Sequence, residues 1–182
     1  DKVLGYLGDR AVENVPDLNS LPGMRYQQRI ALRNAGHIAP DDVYQYIASG
    51  GYGGLNKALF EMESADVLKE VTDSGLRGRG GAAFPTGVKW GFLVRAPAPK
   101  YILVNCEEGD PGAYNDKGIL ESDPFTLVEG MTIAGYATGA TNGFVFIRHG
   151  HEGPISRTED AISQAYKAGL LGKNILGSEF SF

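Results

Sequence analysis

The chain has 182 residues, 42% of them hydrophobic and 21% charged, with a formal net charge of −5. That length suffices for one well-cored domain, or one domain plus an arm. The acidic balance without an extended basic run argues against nucleic-acid binding, and no unbroken apolar span reaches bilayer length, so direct membrane insertion is not expected.

Residues 1 to 28 carry Pro16, Pro22 and several turn-formers, and read as an irregular arm or linker. Arg29-Ile30-Ala31-Leu32-Arg33 alternates, which suits a short strand. Asp41 and Asp42 favour a helix start, so 41–48 is expected to be helical until the glycines of 50–54 break it. Leu55 to Met62 reads as another short helix. Ser64 is expected to cap the next one, whose Val67, Leu68 and Val71 share a face, with Gly75 as a left-handed stop. A glycine loop follows, then a helix from Pro85 to Val94, ended by Pro97 and Pro99. Tyr101 to Asn105 is continuously apolar and β-prone, as in a central strand buried on both faces. Asp123 and Pro124 open a long helix to about Gly139, apolar over most of its surface and so expected to be buried. Gly143 to Arg148 reads as a second strand. A helix from Pro154 to Ala168 is expected to turn Ile155, Ile162 and Tyr166 inward, with Gly169 as its stop. Strand, helix, strand and helix at this spacing predict an α/β unit with a parallel sheet and a right-handed crossover, preceded by a helical N-terminal region.

Two stretches carry candidate chemistry. Ser74 to Trp90, SGLRGRGGAAFPTGVKW, crowds Gly75, Gly78, Gly80, Gly81 and Gly87 around Arg77 and Arg79. Glycine lets backbone approach a ligand closely. A helix starting at Pro85, with Arg77, Arg79 and Lys89 nearby, would form an anion cradle. Phe84 and Pro85 break the spacing of a Rossmann fingerprint, and no Gly-Lys-Ser/Thr completes a Walker A loop. On the residues alone, a phosphate-binding loop and an inter-helix turn with solvated arginines both fit. The second stretch is Asn105-Cys106-Glu107-Glu108-Gly109-Asp110-Pro111-Gly112, at the carboxyl end of the first strand, where ligands of parallel sheets lie. Its amide could meet a heterocycle edge and its carboxylates ribose hydroxyls, although a charged surface turn fits as well. Cys106 is the single cysteine, which excludes an internal disulfide and an iron–sulfur cluster held by this chain alone. With carboxylates beside it, its thiol is expected to titrate high and to act as a small buried residue. His149 and His151 are expected in a surface turn, and no metal site is expected. The cytoplasm is the default location.

Three ordered blocks resemble a known family. GLRGRGGAAFPTGVKW, then NCEEGDPGAYNDKGILESDPFTLVEGMTIAGYATGA, then AYKAGLLGKNILGSEFSF are similar to the flavoprotein subunit of respiratory complex I. The same signature runs through the related diaphorase subunits of NAD-linked hydrogenases and formate dehydrogenases. The resemblance runs from about Arg29 to Phe182 and implies a Rossmann-like FMN/NAD-binding domain over 29–182, cut short at its C-terminal end. It implies that Gly78, Arg79, Gly80 and Lys89 hold the FMN phosphate and ribityl region, and that Asn105, Glu107 and Glu108 meet the flavin or its ribityl chain. It further implies that Phe84 and Phe92 clasp the adenine of the nicotinamide nucleotide, beside Gly81, and that Asp110 bonds a ribose. Helix core is the competing role for Phe84 and Phe92.

The commonest family pattern is GRGGAGFPTG and NADEGEPG. Here Ala83 replaces a glycine, Cys106 and Glu107 replace Ala-Asp, and Asp110 replaces a glutamate; these departures loosen the match at Ala83, Glu107 and Asp110 and lean toward the hydrogenase and formate-dehydrogenase branch. The resemblance implies that the remaining FMN contacts, and the cysteines of a 4Fe-4S cluster, lie beyond Phe182. Iron–sulfur electron-transfer subunits of a multisubunit redox complex would be the partners, and any membrane link would run through them. On this reading the chain is a piece of a longer polypeptide and is expected to bind FMN weakly or not at all by itself. A non-catalytic nucleotide-binding domain and a phosphate-binding transferase are the alternatives.

Overall fold

A computed structural model describes residues 20–182, so most of the expected arm over 1–28 lies outside the described residues. The elements are α1 (Val43–Ala48), α2 (Gly53–Glu61), α3 (Ser64–Asp73), α4 (Thr86–Arg95), β1 (Tyr101–Cys106), α5 (Asn115–Ser122), α6 (Pro124–Thr138), β2 (Asn142–Ile147) and α7 (Glu152–Lys167), then a short 3-10 turn at Ile175–Gly177. The expected α/β class with a helical N-terminal region is borne out. The two strands pair in parallel, in register from Tyr101 opposite Asn142 to Cys106 opposite Ile147. Their carboxyl ends therefore lie side by side, and the segments that follow them leave from one edge.

Helix α6 is the axis of the core, touching α2, α3, α4, α5, α7 and both strands. Its start is locally encoded: the Asp123 carboxylate accepts from the Thr126 hydroxyl at 2.6 Å and from its N–H at 3.4 Å, and Pro124 follows at the first helical position. Its end is Gly139, at φ 76. Phe125 is fully buried and stacks on Tyr46 of α1 at 5.7 Å. Gly135 lets Phe182 lie against the helix, since a Cβ there would stand 2.6 Å from that ring.

Glu129, also on α6, has the most consequential polar role in this core. Its carboxylate accepts from the Tyr46 hydroxyl at 2.6 Å, the Tyr52 N–H at 2.8 Å and the Leu55 N–H at 3.1 Å. It caps α2 from another element, because Tyr52 sits at the cap position with φ 60 and offers no side-chain hydrogen bond of its own. Helix α2 accordingly starts inside the glycine run and not at Leu55 as expected. Burial first, and the Glu129 carboxylate second, push the Tyr46 and Tyr52 phenols well above their ordinary range.

Three expectations are corrected. Residues 29–33 form no strand. They lie in turns closed by Arg33 N–H to Ile30 O at 3.4 Å and Ala35 N–H to Leu32 O at 3.1 Å, because no strand among the described residues pairs with them and Ile30 points outward. That segment is tied to the core instead by Asn34, whose amide donates to buried Asp123 at 2.7 Å. Strand β1 is not buried on both faces: Ile102 and Val104 are half-buried, whereas Leu103 is 69% exposed, beside Phe144 of β2 at 57%. In α7 the buried stripe is Pro154, Thr158, Ala161 and Ala165. Small side chains let this helix approach α6 closely, which leaves Ile155 and Ile162 half-buried and Tyr166 exposed.

Candidate functional site

The glycine stretch folds as a closed loop between α3 and α4. Gly75, at φ 68, ends α3 as the sequence predicts. Gly78 N–H then donates to Phe84 O at 2.9 Å, and Thr86 N–H to Leu76 O at 2.9 Å, so Arg77 and Pro85 form an antiparallel bridge at the loop's neck. The Arg77 guanidinium donates to Ala83 O at 3.0 Å and braces the loop from within. Arg79 and Lys89 are exposed and make no ion pair or side-chain hydrogen bond among the described residues. A Cβ at Gly80 or Gly81 would meet nothing within 4 Å, so their backbone is open to an approaching ligand. The Thr86 N–H, at the start of α4, is taken by Leu76 O and so is not open to an anion. Gly87 serves packing: a Cβ there would stand 2.6 Å from Thr72 Cα. Phe84 and Phe92, 46% and 54% exposed, lie with ring centroids 6.3 Å apart at 46°, and Arg95 sits 5.4 Å above the Phe92 ring. They form a presented aromatic surface, not helix core.

Ala83 has φ 48, in the left-handed region. A left-handed alanine costs about 1–2 kcal/mol, and part of that gain is lost when glycine loosens the unfolded chain, so Ala83→Gly should stabilise by about 0.5–1 kcal/mol. A raised urea midpoint checks this. A lowered one would show that the methyl group packs usefully.

The segment after β1 is held by its own polar side chains. Asn105 Oδ1 accepts from the Glu107 N–H at 2.8 Å, and its amide nitrogen makes no hydrogen bond among the described residues. Cys106 is buried, and burial first, with the Asp116 and Glu108 charges, pushes its thiol up to about 11. Glu107 Oε1 accepts from an Arg148 guanidinium nitrogen at 2.5 Å. The exposed Asp110 closes a turn, its carbonyl accepting from Ala113 N–H at 3.1 Å, with Gly112 at φ 80. Glu108 turns away from solvent, and its carboxylate accepts from the N–H groups of Asn115 at 2.6 Å, Asp116 at 3.1 Å and Lys117 at 2.9 Å. It thereby caps α5, a helix that sequence reasoning missed. The only local signal was Asn115-Asp116 ahead of Ile119 and Leu120. Burial by itself would raise the Glu108 carboxyl, but the three backbone donors outweigh it and hold the group below its ordinary 4.5.

The pH dependence follows from that direction. The contribution of Glu108 is fully present above pH 4.5 and is lost as pH falls through its depressed folded value. Glu108→Ala should cost about 1–2 kcal/mol at neutral pH and almost nothing in strong acid. Urea midpoints of the two proteins across pH 2–7 should therefore converge at the acid end; a constant gap would contradict the cap.

The predicted site residues thus fall into two groups. Gly78, Arg79, Gly80, Gly81, Phe84, Lys89 and Phe92 share the loop and α4; Asn105, Glu107, Glu108 and Asp110 share the strand-end segment. No hydrogen bond, ion pair or ring contact among the described residues joins the two groups. Sequence reasoning passed over Arg148, which reaches the second group because β2 ends beside β1. The donor set suits a phosphorylated flavin and a dinucleotide: unpartnered cations and open backbone for phosphate, a free amide for a ring edge, and two presented aromatic rings for a base.

The family model of the Nuo51 FMN-binding domain matches residues 71–179. Over 157 residues the chain is 51% identical to the NADP-reducing hydrogenase subunit HndC of Solidesulfovibrio fructosivorans, covering 86% of this chain and 32% of that protein. It is 44% identical over 158 residues to a subunit of the NADH-quinone oxidoreductase of Rhizobium meliloti, covering 84% of this chain and 37% of that protein. A crystal structure of NAD+-reducing NiFe hydrogenase in the air-oxidized state superposes with a TM-score of 0.53 at 36% identity, covering 62% of this chain and 21% of that one. The chain spans about a third of the length of the curated relatives it matches.

Proposed function

Because the chain belongs to the Nuo51 FMN-binding domain family, we propose that it is the FMN- and nucleotide-binding part of an NAD(P)H dehydrogenase, or diaphorase, module. FMN is the cofactor and a nicotinamide nucleotide the substrate. Bound FMN would supply two-electron chemistry toward nicotinamide and one-electron chemistry toward iron–sulfur clusters. Those clusters, 4Fe-4S among them, would be carried by other domains or by partner subunits of a hydrogenase, formate dehydrogenase or complex I assembly. The working location is the cytoplasm, with any membrane association through partners. No helix of the described residues is long and apolar enough to cross a membrane. We assign the FMN/NADH-binding domain to 29–182, with 1–28 as an arm or linker.

The observation that carries this reading is one loop-and-helix unit presenting unpartnered Arg79 and Lys89 together with the Phe84–Phe92 pair. Arg79, Lys89 and the backbone of Gly78 to Gly81 would hold the FMN phosphate. The free amide of Asn105, with Glu107, would meet the flavin or its ribityl chain. Phe84 and Phe92 would receive the adenine, and Asp110 a ribose hydroxyl. Glu108 would contribute through α5, keeping the segment in shape. Hydride transfer between stacked rings needs no side-chain acid or base, so these residues bind and orient, and none is assigned as catalytic.

The test is the visible absorption spectrum of the intact protein, taken anaerobically before and after NADH or NADPH. A flavin band that bleaches on addition is the expected result. No flavin band, with nucleotide still protecting the protein from proteolysis, would make this a non-catalytic nucleotide-binding domain.

A further inference from the structure

We infer that Arg148 is a positioning residue of the flavin site, which fixes the Glu107 carboxylate at the ends of the two strands and cancels its charge there. The inference rests on the functional reading above. Cys106 and Ile147 are the last paired residues of β1 and β2, so Glu107 and Arg148 are the next residues along two adjacent strands. The guanidinium reaches the carboxylate at 2.5 Å. The chain then folds back beneath the pair at Gly109. A Cβ there would overlap the guanidinium, standing 2.9 Å from Arg148 Cζ and 3.0 Å from Glu107 Oε1. The strand-end segment is thus wrapped around this ion pair, and the glycine is what lets it wrap.

Stability does not account for the arrangement. Both side chains are half-exposed, and such a pair contributes only about 0–1 kcal/mol to folding. Position accounts for it better, because the carboxyl ends of parallel strands are where a ligand lies. An uncompensated carboxylate beside a flavin ring would oppose the addition of electrons to that ring, and a paired one would not. Glu108 is a second carboxylate nearby, but its oxygens are engaged by three backbone N–H groups of α5 and not by Arg148.

The experiment is a redox titration of FMN in the intact protein, comparing wild type with Arg148→Gln, Glu107→Gln, the double variant and Arg148→Lys. Arg148→Gln should move the midpoint potential negative and Glu107→Gln should move it positive. The double variant should return close to wild type, and Arg148→Lys should recover most of the Arg148→Gln shift. If Arg148 only holds the fold, Arg148→Gln will retain less FMN while the FMN that remains keeps its wild-type potential, and the inference is overturned. Should Arg148→Gln fail to fold, Glu107→Gln and Arg148→Lys still decide: an unmoved Glu107→Gln potential overturns the inference. FMN present and bleached by NADH, with all potentials coincident, sinks the inference and leaves the functional reading standing. Intact protein without FMN sinks both.

Discussion

Glu129→Ala should lower the folding stability by about 3–5 kcal/mol, a large part of the total margin of an ordinary domain. The size follows from what the carboxylate leaves behind. Tyr46 is almost fully buried and its hydroxyl would keep only the 3.2 Å approach of the Thr126 hydroxyl, while the N–H groups of Tyr52 and Leu55 would face an empty space at the start of α2. Each stranded buried donor costs about 1–3 kcal/mol, and the side chain's volume is lost from the packed face of α6. Glu129→Gln keeps the shape and one acceptor and should cost less than half as much. Glu70→Ala removes an exposed partner of Lys57 and should change stability by no more than about 0.5 kcal/mol. Urea unfolding of the three variants checks the order; a Glu129→Ala midpoint equal to that of Glu70→Ala would refute the capping role.

The second large effect concerns the ligand. In the intact protein, Arg79→Ala should weaken FMN retention about 10- to 100-fold, the equivalent of one charge-assisted phosphate contact. Arg79→Lys should recover part of the loss, since it restores charge without the planar fork. Arg77 is a different case, because its guanidinium already braces Ala83 O. Arg77→Ala should therefore loosen the loop and lower FMN retention and thermal stability together. The FMN-to-protein ratio after exhaustive dialysis, read beside thermal unfolding, separates the two arginines. Retention unchanged in Arg79→Ala would remove the glycine loop from the flavin site.

What was legible in the sequence was what is locally encoded. Asp42 caps α1 through the N–H groups of Tyr44 at 2.9 Å and Gln45 at 3.2 Å, Asp123 and Pro124 open α6, and Gly75, Gly139 and Gly169 take the left-handed conformations expected of helix stops. Ser64, expected to cap α3, is instead its first residue; the other failures depended on distant partners. Helix α5 is capped by Glu108, seven residues before it begins, and α2 by Glu129, far along the chain. The alternation of 29–33 has no strand to pair with among the described residues. The apolar run of β1 could not say that only one of its faces would be covered, nor could the apolar residues of α7 say that alanines would form the contact. The candidate site divides in the same way. The residue types of the glycine loop and the strand-end segment were visible as text, and their roles came from the family resemblance. The pairing of Glu107 with Arg148 is a product of strand register and became visible only once both strands were in place.

The measurement that tests most directly whether the glycine loop and the strand-end segment hold one flavin between them is a structure of the intact protein with FMN and NADH bound. The predicted result is one flavin in contact with both the Gly78–Gly80 backbone and Asn105, with the adenine against Phe84 and Phe92. A flavin that touches only one of the two segments, or lies away from both, would contradict the account.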